Sequence, residues 1–298
     1  MRRLTAALRR YPHLEPLLDG SPVSEGYALD VADIHPIHEA FAPMVRHLRY
    51  DLSELAVATL LQAIESDVPI AALPVVPLGN FPHRSLYVWG GDRRVDPADL
   101  PGRRLGVRAY SQTTGLWARG VLGDDYGVSS RDITWVTTEG PHVATAKDPS
   151  NVIRTSTNLV DALRAGDLAS VVLGAPFAAN VDGLAPLIPD WESRQESFFD
   201  QHGWVPANHL VVVRRDLLRS EPGLIRAFYR DLTASIEATM RNEPSGTVRG
   251  RAVRYGVASG LLDMLATAIR YAREQEVIRC DLDAADIFAD FEKYVGES

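Results

Sequence analysis

The sequence predicts an α/β protein read as two lobes, each a mainly parallel sheet flanked by helices, with a ligand cleft between them, although a single doubly wound domain of this length is also possible. Three observations lead there. Short apolar runs bounded by turn residues alternate with segments of helical spacing along the 298 residues, the pattern of strands joined through crossover helices. The length is enough for two ordinary domains. A Gly- and Pro-punctuated break near residue 95 and a strong strand near residue 209 suggest an inserted lobe at 95–205, carried by a first lobe of 1–94 and 206–298.

Leu4–Leu8 reads as the first strand and Glu15–Leu18 as a short helical segment ending at Gly20. Tyr27–Val31 alternates like a second strand. Ile37, Phe41, Met44, Val45 and Leu48 share one face of a helix over His35–Leu48. Asp51 and Ser53 are good cap residues, so Asp51–Ile64 is expected to be helical. Ile70–Val76 is an apolar run punctuated by Pro77, Gly79 and Pro82, and Ser85–Trp89 is the next strand. Gly90-Gly91-Asp92 and Pro97–Gly102 read as a connection. Strands follow at Arg104–Arg108, Ile133–Val136 and Leu168–Leu173, with helices at Thr113–Leu122, Asn158–Ala165 and Asp190–His202. Gly140–Ile153 is polar, holds two prolines and reads as a loop. His209–Val213 is a strong strand, Glu221–Arg241 a long amphipathic helix and Arg241–Arg251 a polar connection. Helices over Gly256–Glu276 and Asp283–Tyr294 finish the chain.

Composition narrows the function classes. With 46% hydrophobic and 23% charged residues, the chain has an ordinary globular balance, which argues against disorder. The net charge of -8, with both signs interspersed, argues against a nucleic-acid surface. An acidic protein that binds an anion must concentrate Arg, His or helix N-termini locally. The single cysteine, Cys280, can form neither an intrachain disulfide nor a thiolate metal site alone. The apolar stretch after Met1-Arg2-Arg3 is shorter than the roughly 7–15 residues of a secretion signal. No run approaches the ~18 residues needed to span a bilayer. A cytoplasmic protein without membrane association is therefore expected.

Four stretches, in this order, resemble the 4,5-dihydroxyphthalate decarboxylase family. They are Tyr50-Asp51-Leu52-Ser53-Glu54; Leu73-Pro74-Val75-Val76-Pro77 with Phe81, His83 and Tyr87; Tyr110, Thr113 and Trp117-Ala118-Arg119-Gly120 with Asp124-Asp125-Tyr126-Gly127-Val128; and Ile188-Pro189-Asp190-Trp191 through Pro206 and His209 to Asp216. A weaker match runs from Tyr255-Gly256-Val257 through Tyr271 to Gln275. The resemblance implies the two-lobed fold of type II periplasmic binding proteins and a carboxy-lyase activity. There are departures. Arg9-Arg10-Tyr11-Pro12-His13 stands where the family carries Gly-Asp-Tyr and then arginines, Leu78-Gly79 follows Pro77 in place of Ser-Arg, and Ala109 replaces an acidic residue. Charges have thus moved around the expected cleft. The implied substrate is a small aromatic or unsaturated carboxylic acid, of which 4,5-dihydroxyphthalate is one.

In open α/β sheets, ligands sit beyond the carboxyl ends of the strands, so the loops there supply the candidates. Decarboxylation leaves an electron pair on carbon. A catechol-like ring can hold it by accepting a proton at the carbon that bears the carboxylate, and a hydroxyl group stabilises the cation. No dinucleotide fingerprint or P-loop is present, and no cofactor is expected. The protein must then supply carboxylate anchors and a general acid that titrates near neutrality, for which histidine is suited. His83 and His209 are the candidate acids, with Glu54 as the carboxylate of the catalytic set. Each histidine has a structural alternative: His83 as a turn-fixing residue, His209 as a buried backbone partner. Arg10 and Arg108 are the candidate guanidinium anchors. Thr113 and Thr114 open a helix whose amides suit an anion, while Ser53 either caps a helix or faces the cleft. Tyr11, Phe81 and Tyr110 complete the expected substrate contacts. His35-Pro36-Ile37-His38 has spacing that invites a metal reading, but Pro36 lies between the imidazoles and no further ligands stand nearby, so no metal is expected there, while a cleft metal on His83, His209 and a carboxylate is an open alternative. A binding protein without chemistry and a lyase or dehydratase on the same fold remain the competing readings, and self-association is left open.

Overall fold

The computed structural model describes residues 1–20, 26–90 and 95–296. The chain begins with β1 (Arg2–Ala7), α1 (Glu15–Leu18), β2 (Tyr27–Val31), a 3-10 turn at Ile37–Ala40, α2 (Phe41–His47), β3 (Leu52–Ala56), α3 (Val57–Glu65) and β4 (Ile70–Gly79). Next come β5 (Leu86–Trp89), β6 (Arg104–Ala109), α4 (Thr113–Tyr126), β7 (Thr134–Glu139), β8 (Val152–Arg154) and α5 (Leu159–Ala165). β9 (Ser170–Val172), α6 (Ala175–Ala178), β10 (Leu184–Pro186) and α7 (Trp191–His202) follow. The last part is β11 (Ala207–Arg214), α8 (Arg215–Ser220), α9 (Pro222–Met240), α10 (Val248–Ala252), β12 (Arg254–Tyr255), α11 (Ser259–Glu274) and α12 (Ala289–Tyr294). Gly91-Asp92 of the expected connection lie outside the described residues. None of the described helices is long and apolar enough to cross a membrane.

Two six-stranded sheets form, in the orders β12-β4-β11-β3-β1-β2 and β10-β5-β9-β6-β7-β8. Both are mixed. β1 pairs in parallel with β2 and β3, but β11 runs antiparallel between β3 and β4. β6 pairs in parallel with β7 and β9, while β5 is antiparallel to β9 and β10. α1 joins the parallel pair β1 and β2, and α4 the parallel pair β6 and β7. β5 and β11, where the chain passes between the sheets, run antiparallel to their neighbours, as the late strand β12 does to β4. β5 belongs to the second sheet, so in sheet terms the chain crosses between Gly79 and Leu86, ahead of the break near residue 95.

One sequence expectation fails clearly. Asp51–Ile64 is not a single helix, because 52–56 is the strand β3 and helix begins only at Val57. All five residues of β3 are buried, inserted between β1 and β11, and tertiary pairing there overrides the helix-like caps. Asp51 caps no helix: its Oδ2 accepts hydrogen bonds from the Thr5 backbone N–H at 2.9 Å and the Thr5 hydroxyl at 3.1 Å. Ser53 also caps nothing, since its hydroxyl donates to the Glu54 carbonyl at 2.6 Å. The first turn of α3 is capped from the other lobe, where Thr113 Oγ1 accepts the Ala58 N–H at 3.1 Å.

Three apolar clusters hold the layers. One packs the outer face of the first sheet, with Leu4, Leu73, Val213 and Phe228. A smaller one lines the outer face of the second, with Leu163 and Val171. The third runs through both lobes, from Phe41 and Leu55 to Trp117, Trp135 and Leu265. Trp117 Nε1 donates to the Ala207 carbonyl at 2.8 Å within this shared core. Gly120 matters here, since a Cβ at that position would stand 2.0 Å from the Tyr271 ring, so only glycine lets α4 and α11 approach this closely. The lobes are therefore docked through packed helices, which fixes the walls of the cleft.

Candidate active site

A cavity of about 740 Å³ lies where the ends of β1, β3, β6 and β9 and the start of β11 converge. That volume suits a small-molecule ligand. Arg9, Arg108, His35, His38, His142 and His209 bring cationic or titratable groups to its wall. Ile37, Phe41, Leu159, Val160, Leu173 and Phe177 supply apolar surface. An acidic chain has thus gathered four of its eight histidines and two arginines around one cavity.

The best-defined polar constellation is Glu54 with His209. Glu54 sits in β3 with no exposure. Its Oε1 accepts the Arg9 backbone N–H at 2.6 Å, and its Oε2 accepts the Tyr11 hydroxyl at 3.0 Å. His209 Nδ1 lies 2.9 Å from the same Oε2. A carboxylate at that position selects the Nδ1–H tautomer of a neutral imidazole and supports the imidazolium, leaving Nε2 for chemistry. The His209 ring is edge-on to Phe41 at 5.1 Å. Strict alternation would send Asn208 and His209 to opposite faces of β11. Both line the cavity because the β11–β4 register is irregular between Ala207 and Val211.

Around this pair, Arg9 stacks its guanidinium over the Tyr11 ring at 5.1 Å and forms no ion pair among the described residues. Arg108 pairs with Glu139 at 2.5 Å. His142 Nδ1 is hydrogen-bonded to Thr59 Oγ1 at 2.8 Å. Burial, then the nearby Arg108, His38 and Arg46, push the His142 imidazole down to about 4. His38 is lowered as well, by burial and then by Arg108. Neutral imidazoles thus stand beside guanidinium groups. At the start of α4, Thr114 Oγ1 accepts from Asn208 Nδ2 at 3.1 Å, and the Gln112 side chain makes no capping bond.

Of the residues singled out from sequence, His209, Arg108, Thr113 and Thr114 line the cavity. Glu54 and Tyr11 lie behind His209 and not on the wall. Tyr11 is buried with its hydroxyl on Glu54, and burial followed by that carboxylate raises its phenol well above the usual range. The other expected residues lie elsewhere. Arg10 is exposed and pairs with Asp19 at 2.6 Å. Ser53 is fully buried in β3. Tyr110 is buried, its hydroxyl donating to the Gln275 carbonyl at 2.9 Å. Phe81 packs on Phe198 and Phe199. His83 is 1% exposed, edge-on to Phe198 and 3.8 Å from Asp125, and is absent from the cavity wall. His142 and Asn208 were not anticipated; a histidine in an irregular loop and an asparagine beside a strand residue carry no periodic signal. Arg9 was visible only as one charge among several. Among the described residues, no group of three or more His, Cys, Asp or Glu is arranged to hold a metal ion.

No family model matches the chain. It is similar to a curated 4,5-dihydroxyphthalate decarboxylase from Comamonas testosteroni, 26% identical over 269 residues, covering 82% of this chain and 78% of that protein. A protein of the same name from Pseudomonas putida is 33% identical over 135 residues, 45% of this chain and 52% of that one. The resemblance stated from sequence is borne out, and both relatives are named as decarboxylases. Among solved structures, the periplasmic aliphatic sulphonate binding protein SsuA from Escherichia coli superposes with a TM-score of 0.59 at 12% identity over 100% of both chains. The desulfurization enzyme DSZB does so with a TM-score of 0.57 at 15% identity, over 97% of this chain and 96% of that one. At such identities these two show the fold, that of periplasmic binding proteins, on which both a binder and an enzyme are built.

Proposed function

We propose that this chain is a decarboxylase of a small aromatic carboxylic acid of the dihydroxyphthalate type, with His209 as the general acid. The observation that carries this reading is the Glu54–His209 pair facing a cavity that also holds Arg9 and Arg108. The relatives' activity points the same way.

The chemistry follows from what the cavity offers. Arg9 and Arg108, with the amides at the start of α4, anchor carboxylate groups. Phe41, Leu173 and Phe177 contact the ring. Protonated His209 delivers its Nε2 proton to the ring carbon that bears the carboxylate. The ring carries the positive charge, delocalised onto a hydroxyl. The carbon–carboxylate bond then breaks, its electron pair restores the aromatic ring, and CO₂ leaves. One proton is consumed per turnover, and solvent returns it to His209. Glu54 stabilises the imidazolium and keeps the ring oriented. The ring serves as its own electron sink, so the reading requires no cofactor. A cytoplasmic location goes with it, tested by fractionating cells that express the protein.

The test is to incubate purified protein with 4,5-dihydroxyphthalate and related hydroxybenzoic and phthalic acids and to measure CO₂ release. Turnover abolished by His209→Ala supports the reading. Tight binding of an acid recovered unchanged would instead favour a binding protein, the reading to which the SsuA likeness lends weight.

A further inference from the structure

His209 is not the only imidazole on this wall with a dedicated partner. His142 comes from the loop after β7, lines the same cavity and is 7% exposed. Its Nδ1 is held at 2.8 Å by Thr59 of α3. Its backbone is clamped as well, since Arg46 Nε donates to the His142 carbonyl at 2.6 Å and Arg46 Nη2 to the Pro141 carbonyl at 2.9 Å. Both imidazoles contact Phe41 edge-on, His142 at 5.7 Å and His209 at 5.1 Å. A single aromatic ring packed on Phe41 is therefore within reach of both imidazoles, since both line the same cavity. Their supports differ in kind: His209 is backed by a buried carboxylate, His142 by a neutral hydroxyl.

We infer that His142 is a second catalytic residue, which accepts the hydrogen bond of a ring hydroxyl and takes its proton as His209 protonates the ring carbon that bears the carboxylate. This rests on the decarboxylase reading and adds to it the group that receives the hydroxyl proton. In the tautomer in which Nδ1–H donates to Thr59 Oγ1, the one this role requires, the unprotonated Nε2 is the acceptor. The positive ring formed by proton delivery makes its hydroxyl strongly acidic. The O–H bond breaks toward Nε2 and its electron pair neutralises the ring. The carbon–carboxylate bond then breaks, CO₂ leaves with its electron pair retained by the ring as the phenolate, and His142 returns the proton to that oxygen. Burial, and then the facing Arg108, His38 and Arg46, disfavour protonation of His142 at rest, which keeps the acceptor available at neutral pH. Two imidazoles with unlike partners, one on a buried carboxylate and one on a neutral hydroxyl, suit the roles of an acid and base pair.

The test uses two ligands and two readouts. Affinities of 4,5-dihydroxyphthalate and unhydroxylated phthalate are measured by calorimetry on the wild type, His142→Ala and His142→Gln, with thermal melts to confirm folding. The wild type is expected to favour the hydroxylated acid by about tenfold or more, and His142→Ala to lose that preference while keeping its affinity for phthalate. Turnover of the dihydroxylated acid is expected to fall by about 10²-fold in His142→Ala. Thr59→Val, which removes only the partner of Nδ1, is expected to reduce kcat with little change in KM. An unchanged hydroxyl preference in folded His142→Ala and His142→Gln, or full turnover in both, overturns the assignment. Absence of turnover in the wild type defeats the decarboxylase reading, while the affinity comparison still decides whether His142 reads the hydroxyl.

Discussion

Replacing Glu54 by Gln keeps the shape of the side chain and removes only its charge and one acceptor. Glu54 is wholly buried and receives the Arg9 N–H, the Tyr11 hydroxyl and the contact with His209 Nδ1. A hydrogen bond to a charged partner is worth about 1.5–3 kcal/mol, and each 1.36 kcal/mol is a factor of ten in rate. If that support is realised when His209 carries its proton into the reaction, kcat falls by about tenfold to about 10²-fold, with KM nearly unchanged. Stability suffers too, because the new NH₂ group faces at least one donor that the carboxylate had accepted, a cost of about 1–3 kcal/mol. The assay is initial-rate CO₂ release with the decarboxylated product followed by absorbance, run well below the melting temperature of both proteins. A folded Glu54→Gln protein with wild-type kcat would refute the reasoning. A loss confined to KM would show that the carboxylate serves binding and not proton delivery.

Other consequences follow from the same geometry. His209→Ala is expected to lower kcat by about 10²-fold or more, whereas His83→Ala, away from the cavity among Phe81 and Phe198, lowers the melting temperature and leaves kcat roughly unchanged; kinetics and melts of the two variants together decide it. Arg9→Gln raises the apparent Kd for the acid about tenfold at low salt and weakens its salt dependence, with stability little altered because Arg9 is exposed; titration at two ionic strengths checks this. His142 is depressed from 6.5 to about 4 in the fold, so above about pH 6.5 it is neutral in both states and its contribution to stability does not change. As pH falls from 6.5 toward 4, the unfolded chain takes up a proton that the fold refuses, and up to about 3 kcal/mol is lost. Urea melts of His142→Gln are therefore expected to fall less steeply over that window than those of the wild type, and identical slopes would count against it. Gly120→Ala forces a methyl group against Tyr271 and is expected to cost about 1–3 kcal/mol, read as a lower urea midpoint.

The fold was largely legible because burial imposes a period on the chain. Tyr27–Val31, the helix starting at Thr113 and the strand at His209 follow from alternation and helical spacing, and the structure has them. The failure at 51–64 is instructive. Leu52–Ala56 carries helix-compatible residues and a convincing cap, yet it is a strand because β1 and β11 pair with its two edges. That choice is made by partners more than forty residues away on one side and more than one hundred and fifty on the other, beyond the reach of local propensity. The direction of β11 is equally non-local: a strand returning from the second lobe enters the first sheet antiparallel.

For the site, the sequence by itself determined that histidines, arginines and a carboxylate of the right chemical types stand near strand ends, and that Glu54, Arg108, Thr113, Thr114 and His209 are among them. Residue type and nearness to a strand end are local properties, and local properties can be read from one chain. Only the tertiary structure decided which of them meet. It set His209 against Glu54 across the β3–β11 pairing, turned Tyr11 onto that carboxylate, exposed Arg10 on Asp19, buried His83 among phenylalanines and brought His142 from an irregular loop into contact with Phe41. The physical reason is that a side chain's role depends on its neighbours in space, and those are set by strand register, by one irregularity in β11 and by the docking of two lobes.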